Sequence, residues 1–134
     1  MPKVPVIDGT MNLAENEWAI AEAGDHLETG GASTCAIVAA LNQSQGLAWM
    51  VHQVAPYMIT DDLSEMLADA AANADPADNV VIYALGCESG TTSQADRSAV
   101  LHEIRVAFPS IAPITHWGIE ELHVEHDGTN WIIS

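Results

Sequence analysis

Residues 29–52 read TGGASTCAIVAALNQSQGLAWMVH, and the reading of this stretch decides the fold. A Gly/Ser/Thr turn leads into Cys35. The apolar run Ala36 to Leu41 follows, then the polar loop Asn42 to Gly46, then a second apolar run from Leu47 to Val51 that ends on His52. Two apolar runs joined by a short polar loop read as a β-hairpin. A symmetric hairpin sets Leu41 against Gly46, Val38 against Trp49 and Cys35 against His52. Directly opposed residues on one face have Cβ atoms about 4.5–5.5 Å apart. A thiol and an imidazole are therefore expected to meet at the open end of the hairpin, provided the register does not slip by one residue and turn them to opposite faces.

Outward from the hairpin, Pro56 stops the second strand and Thr60 offers an N-cap hydroxyl to a helix, with Asp61 and Asp62 in its first turn where the dipole favours anions. Leu63, Met66, Leu67 and Ala70 fall on one apolar stripe of that helix. Asn79 to Gly86, NVVIYALG, is continuously apolar, as expected of a strand covered on both faces. After the loop GCESGTT, Ser93 with Asp96 resembles a capping box, and Val100, Ile104, Ala107 and Phe108 form the next helical stripe, stopped by Pro109. Ile111 to Trp117 is a strand candidate interrupted by Pro113. Asp127-Gly128 between Leu122–His126 and Asn130–Ser134 predicts a closing hairpin. Upstream, Glu17 to Glu22 reads as a short strand, Gly24-Asp25 as a turn, and residues 1–15 as an irregular lead-in broken by Pro2, Pro5, Gly9 and Asn12. The sum is an α+β fold of mixed β-sheets with flanking helices, a single domain over residues 1–134.

Composition narrows the partners. With 3 Lys/Arg against 19 Asp/Glu the net charge is −16, which disfavours phosphate backbones and anionic lipid surfaces. Neither nucleic acid binding nor membrane insertion is expected. There is no run of about 20 apolar residues and no apolar signal region near the start. A cytoplasmic location is the expectation, with export as an effector the alternative, and Cys35 and Cys87 are read as thiols.

The chemistry centres on Cys35. A single cysteine beside an apolar run is most often a small buried hydrophobe. Two features point further. The approach Gly30-Gly31-Ala32-Ser33-Thr34 is small and polar, so the backbone amides of Gly31, Ser33 and Thr34 can converge on an oxyanion. His52 supplies a base, and an imidazole neighbour can lower a thiol pKa toward neutrality. Thr29 either starts a turn or holds the far nitrogen of His52 and fixes its tautomer. Cys87, in a strand-to-helix loop, is read as structural or pocket-lining. His123 and His126 mimic a metal pair, but an odd offset along a strand puts them on opposite faces, so a shared metal site is not expected there. The four tryptophans, Trp18, Trp49, Trp117 and Trp131, are read as core or core-edge residues.

The pattern Thr29…Gly31…Thr34-Cys35, a hydrophobic strand, a short polar loop, then Ala48-Trp49-Met50-Val51-His52 with Pro56 just after, resembles the chemoreceptor glutamine deamidase (CheD) family, which shares its fold with bacterial glutamine-deamidating toxins. The resemblance spans residues 16–134, with specific matches in 29–56. It implies Cys35, His52 and Thr29 as catalytic residues, a glutamine side chain of a protein as substrate, and a mechanism that needs neither metal nor cofactor. The chain departs from the family pattern at Ser33-Thr34, where the family has a glycine before a Ser-Cys pair. It departs again at Trp117-Gly118-Ile119-Glu120-Glu121, where the family has a Gly-Gly pair and a following Arg.

Overall fold

A computed structural model describes residues 3, 4, 6, 10–88 and 92–134. Two sheets and two helices make an α+β fold in three layers. The larger sheet has the order β2-β5-β4-β6-β7, built from β2 (Glu17–Glu22), β4 (Ala36–Asn42), β5 (Leu47–Gln53), β6 (Val80–Gly86) and β7 (Ile114–Trp117). The smaller has the order β1-β3-β8-β9, built from β1 (Thr10–Asn12), β3 (His26–Thr29), β8 (Leu122–His126) and β9 (Trp131–Ile133). Helices α1 (Asp61–Ala72) and α2 (Ser93–Ala107) cover the outer face of the larger sheet.

This layering explains the apolar runs. Every residue of β4 is buried, because one face meets the helices and the other meets the smaller sheet. On the helix side Val38, Trp49, Val51 and Ile82 pack against Leu63, Met66, Val100 and Ile104. Between the sheets Ile37, Ala39, Leu41 and Met50 pack against Leu27, Leu122, Val124 and Trp131. A strand with apolar neighbours on both faces cannot alternate, so continuity replaces period two.

The expected hairpin forms, but in a shifted register. Ile37, not Cys35, lies opposite His52, and Leu41 opposes Ala48 rather than Gly46. The cause is the turn. Asn42 pairs with Leu47, leaving Gln43 to Gly46 as the loop. Within it the Gly46 amide bonds the Asn42 carbonyl at 3.0 Å and the Gln45 amide bonds Asn42 Oδ1 at 3.0 Å. Gly46 sits at φ +67°, which glycine adopts without strain. The shift is two residues, so the facing of every side chain survives. Cys35 still points into the layer between the sheets.

The stripe Leu63, Met66, Leu67 and Ala70 is the buried face of α1. Thr60 stands at its N-cap but makes no side-chain capping bond. Gln53 Oε1 from β5 instead accepts the Leu63 amide at 2.8 Å, which ties the helix start to the sheet. The capping box expected at Ser93 is also absent. Thr92 is the N-cap of α2, and the buried Asp96 accepts the Tyr57 amide at 2.9 Å. Residues 10–12, read as irregular, form a parallel strand on β3, and the chain after Gly24-Asp25 enters β3 before the Thr29 loop. Ser89, Gly90 and Thr91 of the GCESGTT loop lie outside the described residues. No helix among the described residues is long and apolar enough to cross a membrane.

Candidate functional site

Cys35, His52 and Thr29 converge from three strands at one end of the layer between the sheets. Thr29 ends β3 with its side chain facing inward. His52 stands on β5 and Cys35 immediately precedes β4. All three are buried. The sulfur of Cys35 and a ring nitrogen of His52 lie within 4.8 Å of each other, together with a carboxylate oxygen of Glu15.

The hydrogen bonds around His52 fix its tautomer. Thr29 Oγ1 donates its single proton to the Leu13 carbonyl at 2.7 Å. It must therefore accept at its 2.8 Å contact with His52 Nδ1. Nδ1 then carries the proton, and the lone pair is on Nε2, which has no hydrogen-bond partner among the described residues. That nitrogen is free to act as a base.

The turn carrying Cys35 is clamped by backbone bonds. The Ala32 amide bonds the Glu120 carbonyl at 3.0 Å, the Ser33 carbonyl accepts the Glu88 amide at 2.9 Å, and the Cys35 carbonyl accepts the Cys87 amide at 2.9 Å. Among the described residues no acceptor takes the amides of Ser33, Thr34 or Cys35. Thr34 and Gly31 are solvent-exposed beside the buried thiol, and Gly31 takes φ +75°. Gly86 closes the clamp. It sits at φ +87°, and a Cβ there would drive into the Cys35 carbonyl oxygen and lie 2.9 Å from that of Ala32.

Cys87 meets the turn through its backbone amide. Its side chain is buried in the core on the helix side of the larger sheet, whereas Cys35 belongs to the core between the sheets. Its backbone is left-handed at φ +50°, with Arg97 Nε donating to its carbonyl at 3.0 Å. Burial pushes this thiol up to about 12, which holds it protonated at neutral pH. Both cysteines are free.

Electrostatics run against a resting thiolate–imidazolium pair. Burial raises the Cys35 thiol above its ordinary value, and the negative charges of Glu15 and Asp96 raise it further, against a lowering hydrogen bond from Thr34. Burial lowers His52 below its ordinary value, partly offset by Glu15. The site therefore rests as thiol and neutral imidazole, and the expectation of a lowered thiol pKa is overturned by desolvation. Both shifts are linked to stability. The raised Cys35 contributes fully below its ordinary value of 9.0 and loses that contribution as pH rises through the folded value. The lowered His52 contributes above its ordinary value of 6.5 and loses it as pH falls through the folded value.

Glu15 is the site residue that sequence reasoning misses, because it lies in a segment that reads as irregular. It is carried in by its neighbours. The Leu13 amide bonds the Glu28 carbonyl at 2.8 Å and the Asn16 amide bonds the His52 carbonyl at 2.7 Å. Replacing Glu15 by Gln removes a charge that disfavours the thiolate. In Glu15→Gln, the midpoint of Cys35 alkylation by iodoacetamide against pH is expected to move down. An unchanged midpoint would show that Glu15 does not act on the thiol.

The chain matches no known family model and no curated protein.

Proposed function

We propose that the protein is a cysteine–histidine amidohydrolase that converts glutamine side chains of a protein substrate to glutamate. The observation that carries this reading is the relay from Leu13 through Thr29 to His52, which leaves Nε2 unprotonated on a ring that clusters with the Cys35 thiol. The resemblance of residues 29–56 to glutamine deamidases supports the choice of substrate.

The resting protonation states define the order of events. A neutral imidazole can remove the thiol proton only as the nucleophile forms, so His52 acts as general base during attack rather than as half of a stored ion pair. Cys35 Sγ bonds to the carboxamide carbon. The oxyanion is received by the unengaged amides near Thr34 and Cys35. The proton on His52 passes to the departing ammonia, leaving a thioester. Water, deprotonated by neutral His52, then adds to the thioester carbonyl and releases glutamate and the thiol.

The test is mass spectrometry of proteins co-expressed with the wild type, searching for Gln-to-Glu changes together with ammonia release. Both should be lost in Cys35→Ala and in His52→Ala. Full turnover in Cys35→Ala would end the assignment. Hydrolysis of glutamyl esters or small amides uses the same residues and is distinguished by offering those substrates.

One observation favours a second reading, a non-catalytic adaptor that binds basic partners through its acidic surface. The Cys35 thiol is raised, not lowered. Purified protein that releases no ammonia from glutamine-bearing proteins, yet still binds basic proteins through its acidic surface, would select the adaptor.

A further inference from the structure

On the outer face of the smaller sheet two His-x-Glu triplets meet. β3 presents His26-Leu27-Glu28 and β8 presents His123-Val124-Glu125. They run antiparallel in a register that sets His26 opposite Glu125 and Glu28 opposite His123. Leu27 and Val124 point into the core, so both histidines and both glutamates share the outward face.

Cross-strand His–Glu pairs would be an ordinary surface arrangement if each histidine simply took the glutamate opposite. The side chains do otherwise. His123 Nδ1 lies 3.0 Å from Glu28 Oε2. His26 turns from Glu125 toward the same oxygen, with Nε2 4.0 Å away, too far for a hydrogen bond. The two imidazole rings approach to 5.6 Å between centroids. His26 Nε2 is shielded from solvent, yet has no partner among the described residues. One donor atom from each of His26, Glu28 and His123 falls within 4.8 Å of the other two.

We propose that His26, Glu28 and His123 form a binding site for a divalent transition-metal ion of the zinc class. Tetrahedral Zn²⁺ with ligands at about 2.0–2.2 Å separates its donor atoms by about 3.3–3.6 Å. The observed 3.0 and 4.0 Å bracket that range, so small side-chain rotations seat the ion. Two imidazoles and a carboxylate suit Zn²⁺, Co²⁺ or Ni²⁺ better than Mg²⁺ or Ca²⁺, which prefer all-oxygen sets. An ion satisfies the orphaned Nε2 and gives two closely held imidazoles a common partner. Solvent can supply the remaining ligand. A cavity of about 240 Å³ adjoins the site, lined by Asn12, Glu28, Gly30, Glu121 and His123 among others. The net charge of −16 favours a cation. The site is separate from Cys35. Glu28 faces out from β3 where the adjacent Thr29 faces in.

The test is a Zn²⁺ titration against a chromophoric chelator, run on the wild type and on Cys35→Ala, which removes the thiol of the inner cluster. One ion per chain is expected in both. His26→Ala and His123→Gln should each weaken binding by about tenfold or more, a loss seen even for residues that only support metal ligands. Circular dichroism of these outward-facing variants should match the wild type. Co²⁺ bound to the Cys35→Ala protein should give weak visible absorption without a thiolate charge-transfer band. Absence of Zn²⁺ binding, binding that disappears in Cys35→Ala, or unchanged affinity in His26→Ala and His123→Gln would overturn the proposal.

Discussion

Gly86→Ala is expected to destabilise the protein by about 3 kcal/mol or more, through two separable effects. The first is local. At φ +87° an L-residue meets its own backbone, a cost of about 1–2 kcal/mol. The second is tertiary. The added methyl enters the space held by the carbonyls of Cys35 and Ala32, and backbone cannot rotate aside as a side chain can. The two carbonyls belong to the turn that presents the thiol, so the strain falls on the candidate site. Gly128→Ala isolates the first effect. Gly128 has φ +100°, but a methyl group there would meet nothing within 4 Å. Urea unfolding of the two variants should show a distinctly larger loss for Gly86→Ala, and Cys35 alkylation should change only there. Equal losses would mean that the turn yields freely and that Gly86 does not fix the thiol.

The legibility of the molecule follows burial geometry. The α1 stripe is readable because a helix with one covered face writes its period of 3.6 into the sequence. β4 is readable because a strand covered on both faces is an uninterrupted apolar run, and β6 reads the same way although Val80, Val81 and Tyr83 are only half-buried. The closing hairpin is readable from Asp127-Gly128, where Asp127 Oδ1 accepts the amides of Thr129 and Asn130 at 2.8 and 2.7 Å. The register of the β4–β5 hairpin is not readable. It depends on whether Asn42 belongs to the strand or the loop, and Asn42 does both, pairing with Leu47 while its side chain closes the turn.

The smaller sheet is the least visible part. β1 and β3 are short, and β3 joins strands distant in sequence, β1 on one edge and β8 on the other. Its alternation of His26, Leu27, Glu28 and Thr29 is a half-buried strand of four residues, too brief to separate from a turn. For the same reason the meeting of the two His-x-Glu triplets has no signature in the sequence. The odd offset between His123 and His126 does separate them. His123 faces outward beside Glu28, while His126 packs edge-on against Trp131. Cys35 and His52 are legible despite the shifted register because an even slip preserves the face. Glu15 has no local signal at all.

Thr29→Val is expected to cost about 2–6 kcal/mol and to release the tautomer of His52. Valine keeps the shape of threonine but replaces the hydroxyl with a methyl group. The Leu13 carbonyl loses its donor and His52 Nδ1–H loses its acceptor. Each unsatisfied buried group costs about 1–3 kcal/mol. His52 is buried beside this site, so water does not readily replace the hydroxyl. With nothing to favour a proton on Nδ1, the Nε2–H form becomes populated, and the nitrogen nearest to useful chemistry ceases to be a base. Nitrogen NMR of the imidazole should show a single Nδ1–H tautomer in the wild type and in Thr29→Ser, which retains a hydroxyl, and a shift toward Nε2–H in Thr29→Val. A purely structural role would lower stability in Thr29→Val without moving the tautomer. An unchanged Nδ1–H signal would therefore remove Thr29 from the relay, whatever the loss of stability.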